Sequence, residues 1–162
     1  MPQYLRMVRK SKWYKNTQTP WLLPDDLQAD ALSDLRTHSN KLSVWEVEDG
    51  SLDLVIASLA ATREHVANFE YALFSSETIS RIGVRLIRSE GECCNGLVAK
   101  HMHRDLLELT AGKIMQLAKT VSATRVTRVY PRQIVELVKI AVNSGSLDPI
   151  GISETMKKAL GQ

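Results

Sequence analysis

Between residues 51 and 67 the apolar side chains Leu52, Val55, Ile56, Leu59, Ala60 and Val66 recur at three- and four-residue intervals. That interval matches the turn of an α-helix and puts the apolar groups on one face, with Asp53 near the positive N-terminal end. The spacing predicts a helix over about 51–67. The same period marks a long helix through Leu106, Leu107, Thr110, Ala111, Ile114, Leu117, Ala118 and Val121, with Asp105 and Glu108 as a capping pair. Pro131 suits the first turn of a further helix carrying Ile134, Leu137, Val138, Ala141 and Val142, and Ser153 caps a last one through Met156, Ala159 and Leu160. Asp25 or Asp26 precedes a shorter apolar pattern at Leu27, Ala31, Leu32 and Leu35, and Ser75 or Ser76 opens a helical turn that Gly83 ends.

Three segments follow the two-residue period of a strand instead, residues 41–48, 68–74 and 84–90, while residues 3–9 alternate poorly but are rich in strand-compatible side chains, with Tyr4, Leu5, Met7 and Val8 expected to form a short strand. Val126, Thr127, Val129 and Tyr130 also favour extended chain, since β-branched and aromatic side chains fit a pleated surface. Strands and helices do not alternate regularly. The order predicts an α+β (mixed α/β) fold: a small sheet of about four strands with packed helices and a C-terminal helical pair, and helix exceeding strand about two to one. At 162 residues the chain fits a single globular domain, 1–162, with 1–24 forming a basic and aromatic N-terminal segment.

An apolar fraction of 44% and a charged fraction of 24% belong to an ordinary soluble domain. The two cysteines, Cys93 and Cys94, are adjacent, and neighbours bridge only with strained geometry, so a reducing compartment is expected. No apolar run approaches the 18 or so residues of a membrane span, and a cytoplasmic protein with no membrane partner is the expectation. Charge is segregated along the chain. Residues 1–24 hold five basic and no acidic groups, residues 25–92 six basic against thirteen acidic, and residues 93–162 ten against five. Folding decides whether the basic segments gather into one positive face or pair with the acidic middle.

The densest set of metal-ligand side chains is "EGECCNGLVAKHMHRD" at 90–105. In a strand His101 and His103 would point the same way; in a helix they would diverge. Adjacent cysteines match no zinc template, and the favoured reading is a turn followed by a helix start with the histidines near its solvated end, with no metal and no cofactor. A small enzyme or metal site around Cys93, His101 and His103 stands as an alternative, in which a thiolate and an imidazole base would act together. Arg63, Glu64 and His65 read as a solvated helix face. No glycine-rich phosphate loop and no HExxH, GxSxG or spaced CxxC pair occurs, which weighs against an enzyme without excluding one.

Function then rests on the cations and rings. Arg6, Arg9, Trp13, Tyr14 and Trp21 in the N-terminal segment, with Arg125, Arg128 and Arg132 near the second basic stretch, are the predicted binding residues. The leading expectation is a cytoplasmic, non-enzymatic binding protein, an accessory or regulatory subunit that docks a protein partner through aromatic and arginine anchors. The alternative is a nucleic-acid-binding module whose basic and aromatic N-terminal arm neutralises phosphate and stacks on bases. Against both stands a structural role, the rings closing over the core while the lysines keep the terminus hydrated.

Overall fold

The structure, a computed structural model, describes residues 1–14, 26–90 and 97–161. These form a mixed α+β fold, about 48% helix and 23% strand, around a six-stranded antiparallel sheet. Its strands are β1 (Gln3–Met7), β2 (Leu42–Val47), β3 (Phe69–Ser75), β4 (Arg85–Arg88), β5 (His103–Leu107) and β6 (Thr127–Val129), in the order β4-β5-β2-β1-β3-β6. β1 runs antiparallel to β3, with Gln3 opposite Ser75 and Met7 opposite Tyr71. The helices are α1 (Lys10–Trp13), α2 (Leu52–Ala61), α3 (Ser76–Ile82), α4 (Leu97–Met102), α5 (Ala111–Ala123), α6 (Pro131–Asn143) and α7 (Glu154–Leu160), with 3-10 turns at Ala29–Leu35 and Pro149–Gly151. Among the described residues no helix is long and apolar enough to cross a membrane.

The sheet has two strands beyond the expected four. β5 occupies what the apolar spacing assigned to the start of a long helix. That helix begins only at Ala111, because the Thr110 hydroxyl accepts the Lys113 amide and caps it there. Just before the cap, Glu108 turns the chain through the left-handed region at φ 58°. Leu106 and Leu107 therefore belong to a strand with one side chain buried and the other half-buried. β6 is the short extended run that its β-branched residues favour.

Two helices also differ from expectation. α2 stops at Ala61 instead of reaching residue 67, and the Arg63 guanidinium beyond it lies over the Phe69 ring at 4.8 Å and donates to the Asn68 carbonyl. The helix expected through Leu27, Ala31, Leu32 and Leu35 is a 3-10 turn over Ala29–Leu35, where Ser33 donates its hydroxyl to the Asp30 carbonyl.

Contacts divide the chain into two compact units. Unit 1 comprises 1–44, 70–87 and 105–127; unit 2 comprises 45–69, 88–104 and 128–162. The core of unit 1 gathers Tyr4, Val8, Trp13, Leu35, Leu42, Phe74, Ile79, Leu106, Leu117 and Val121. In unit 2, α2 is buried without interruption from Val55 to Ala61 and packs against α6, whose inner stripe is Ile134, Val138 and Ala141. The Ser153 amide donates to the Ala61 carbonyl and ties the start of α7 to the end of α2.

Candidate functional site

The N-terminal segment is held in unit 1 by two carboxylates, Glu70, which accepts the Lys10 amide at 2.8 Å, and Asp34. Asp34 accepts the Arg9 amide at 2.7 Å and the Trp13 indole N–H at 2.8 Å on the same oxygen, and Lys12 Nζ stands 3.8 Å from the other. Arg6 donates from Nε to the Asp34 carbonyl and from Nη1 to the Ser43 carbonyl. Trp13 is only 6% exposed and lies in the core, so its ring seals unit 1 instead of facing a ligand.

Tyr14 is placed differently. It is 41% exposed, Lys10 Nζ lies 5.4 Å from its ring centroid, and its hydroxyl accepts the Val126 amide at 3.1 Å. This bond spans 112 residues and joins the N-terminal segment to the second basic stretch beside the exposed Arg125. Unit 1 therefore brings together Arg9, Lys10, Tyr14 and Arg125, predicted in part from composition. Arg128 and Arg132 fall in unit 2, Arg128 half-buried and Arg132 exposed in the first turn of α6. Trp21 lies outside the described residues.

A concave feature of unit 1 involves residues that the sequence did not single out. α3 packs against α5, and an open groove of about 490 Å³ is lined by Thr78, Arg81 and Ile82 from α3, and by Gln116, Lys119, Thr120, Ala123 and Thr124 from α5 and its cap. The spacing explains the lining. Thr78, Arg81 and Ile82 follow i, i+3, i+4 on one helix, and Gln116, Lys119, Thr120 and Ala123 follow i, i+3, i+4, i+7 on the other. Arg81 and Lys119 are exposed, neither has an ion-pair or hydrogen-bond partner among the described residues, and no carboxylate lines the groove. Arg81 also sits in the last turn of α3, where the helix dipole favours a cation. The signal was in the sequence as two polar stripes; the pairing of α3 with α5 was not.

The 90–105 cluster does not assemble a metal site among the described residues. His101 is exposed at the end of α4, and its Nδ1 is 2.8 Å from Arg88 Nη2. His103 is buried at the start of β5, with Nδ1 2.9 Å from the Ser89 hydroxyl and its ring edge-on to Trp45 at 5.2 Å. The expected helix start with two solvated histidines therefore describes His101 and not His103. Cys93, Cys94 and Glu92 lie outside the described residues. Arg104 bonds Glu46 and donates to the His101 and His103 carbonyls, fixing this turn. Arg63, at the end of α2, has its guanidinium pKa lowered by burial.

Charge separates by unit. The described residues of unit 1 carry eleven Lys and Arg against seven Asp and Glu, and those of unit 2 carry nine against nine. The acidic run of residues 46–53 falls in unit 2, leaving unit 1 with an excess of cations. Comparison with protein-family models, curated proteins and solved structures gives no match to this chain.

Proposed function

We propose that this chain is a non-enzymatic binding protein that holds single-stranded nucleic acid on unit 1. The observation that carries the reading is the α3–α5 groove, in whose lining two cations have no partner and no carboxylate is present among the described residues. Such a lining attracts phosphate and repels nothing anionic, and each neutralised phosphate releases counterions. Thr124, at one end of that lining, is followed directly by Arg125, and Val126 bonds the open Tyr14 ring. Cations in the groove and an exposed aromatic on the same unit suit a strand whose bases are free to stack. Docking of a protein partner has less support. Trp13 is committed to the core, and the exposed apolar residues of unit 1, Met1, Tyr14 and Met115, supply little of the desolvated centre that interface hot spots require.

Fluorescence anisotropy of a labelled single-stranded oligonucleotide against salt tests the reading. With two or three phosphates neutralised, log K should fall against log salt with a slope of roughly −1.5 to −2. Arg81→Gln or Lys119→Gln should weaken binding and make the slope shallower by about 0.7 each. Absence of binding at low salt, or a slope unmoved by both substitutions, overturns the proposal. An acidic peptide bound in place of the oligonucleotide also overturns it, and returns the function to protein docking.

A further inference from the structure

Resting on that reading, we infer that the α3–α5 groove selects ribose over deoxyribose, so that the strand it takes is RNA. The Thr120 hydroxyl donates to the Gln116 carbonyl at 3.0 Å, and the Thr124 hydroxyl donates to the Val121 carbonyl at 3.3 Å. A hydroxyl has one hydrogen, so the oxygens of these two lining residues keep only lone pairs to offer a ligand. The Thr78 oxygen accepts the Ser75 hydroxyl at 3.0 Å, which leaves its own hydrogen uncommitted. Donors are therefore Arg81, Lys119, Thr78 and one end of Gln116; acceptors without a proton to give are Thr120 and Thr124.

A phosphodiester supplies acceptors only and satisfies the first set. The second set needs a ligand group that donates. In DNA the sugar has no hydroxyl inside the chain, whereas the ribose 2′-OH donates and accepts, and this group is what distinguishes the two polymers at a given site. Acceptors on the α5 stripe, one turn apart and beside Lys119, fit a 2′-OH that flanks a bound phosphate.

The test compares three oligonucleotides of about twelve residues with one base sequence: RNA, DNA with uracil replacing thymine, and 2′-O-methyl RNA. The last keeps the sugar oxygen and removes its hydrogen. RNA should bind about five- to tenfold tighter than DNA, the worth of one or two net hydrogen bonds. The 2′-O-methyl strand should fall to the DNA level. The double variant Thr120→Val/Thr124→Val should bind RNA no more tightly than it binds DNA. Equal wild-type affinity for RNA and DNA, each with the expected salt slope, overturns the sugar selectivity and leaves the nucleic-acid reading standing. Binding of neither polymer overturns both. Retention of the RNA preference by the valine variant, or by the 2′-O-methyl strand, overturns the assignment to these hydroxyls.

Discussion

Helices α5 of unit 1 and α6 of unit 2 are both thirteen residues long, and each buries a narrow stripe: Leu117, Ala118 and Val121 in one, Ile134, Val138 and Ala141 in the other. Their outer faces diverge. α5 contains no Asp or Glu and turns Gln116, Lys119 and Thr120 into the groove, whereas α6 places Glu136 between Arg132 and Lys139, three and four residues away, where opposite charges offset each other. Burial is thus solved alike in both, and only the polar residues opposite the stripe separate a surface whose charges are all cationic from one that also carries a carboxylate. The same contrast holds for the whole units, eleven cations against seven anions in one and nine against nine in the other.

If unit 1 carries recognition and unit 2 mainly packing, substitutions should separate stability from binding. The largest loss of stability is expected from Ile56→Ala, inside the uninterrupted buried run of α2, at about 3 kcal/mol from lost transfer energy and the cavity left behind. Urea titration should show that loss, while the fraction still folded keeps its salt slope for the oligonucleotide. By contrast Lys119→Gln should change stability by less than about 0.5 kcal/mol, as exposed substitutions do. A binding defect in the folded Ile56→Ala protein would break the division of roles.

Next is Asp34→Ala, which removes the acceptor shared by the Arg9 amide and the buried Trp13 indole. Leaving both donors unsatisfied should cost about 2–3 kcal/mol. It should also loosen the segment carrying Lys10 and Tyr14, so that oligonucleotide affinity falls with stability. Stability within about 0.5 kcal/mol of the wild type would show that the segment is held without the Asp34 carboxylate, by its apolar contacts and the remaining bonds of Arg6 and Lys10. Smaller again is Gln116→Glu, which places a carboxylate beside Lys119 and gives α5 the mixed character of α6. Affinity should drop roughly tenfold, worth about 1.4 kcal/mol, with little effect on the melting temperature.

The contrast between α5 and α6 also marks what was legible in the sequence. α6 was readable in full, because Pro131 fixes its start and one apolar period runs through it to Val142. α5 was readable at its end and not its beginning: Leu106 and Leu107 satisfy a helical spacing, and only the Thr110 cap and the turn at Glu108 assign them to β5. Local period cannot weigh a strand that the sheet pairs from a distance. The basic segments were visible as composition, and their meeting through Tyr14 and Val126 was not, since a bond across 112 residues leaves no local trace. Trp13 shows the same limit from the other side. A ring among lysines reads as a binding residue until Asp34, 21 positions away, accepts its N–H and draws it into the core.

The smallest effect belongs to unit 2 and to pH. Glu154, first in α7, accepts a hydrogen bond from Lys157 Nζ at 2.8 Å, and this bond with the attraction of the same ammonium holds its carboxyl below the usual range. A carboxyl depressed in the folded state stabilises above its unfolded pKa, near 4.3, and that contribution disappears as pH falls through the lower folded value. Glu154 is fully exposed, so water and salt screen the pair and the whole molecule should melt almost unchanged. The effect should instead be local, in amide exchange of α7 relative to α6, with α7 losing protection between about pH 5 and pH 3 in the wild type. Glu154→Gln and Lys157→Ala should each remove that pH dependence, because either substitution removes one charge of the pair. Equal pH responses of α7 in all three proteins would mean that Ser153, whose hydroxyl accepts the Met156 amide, holds the start of the helix without help from the ion pair.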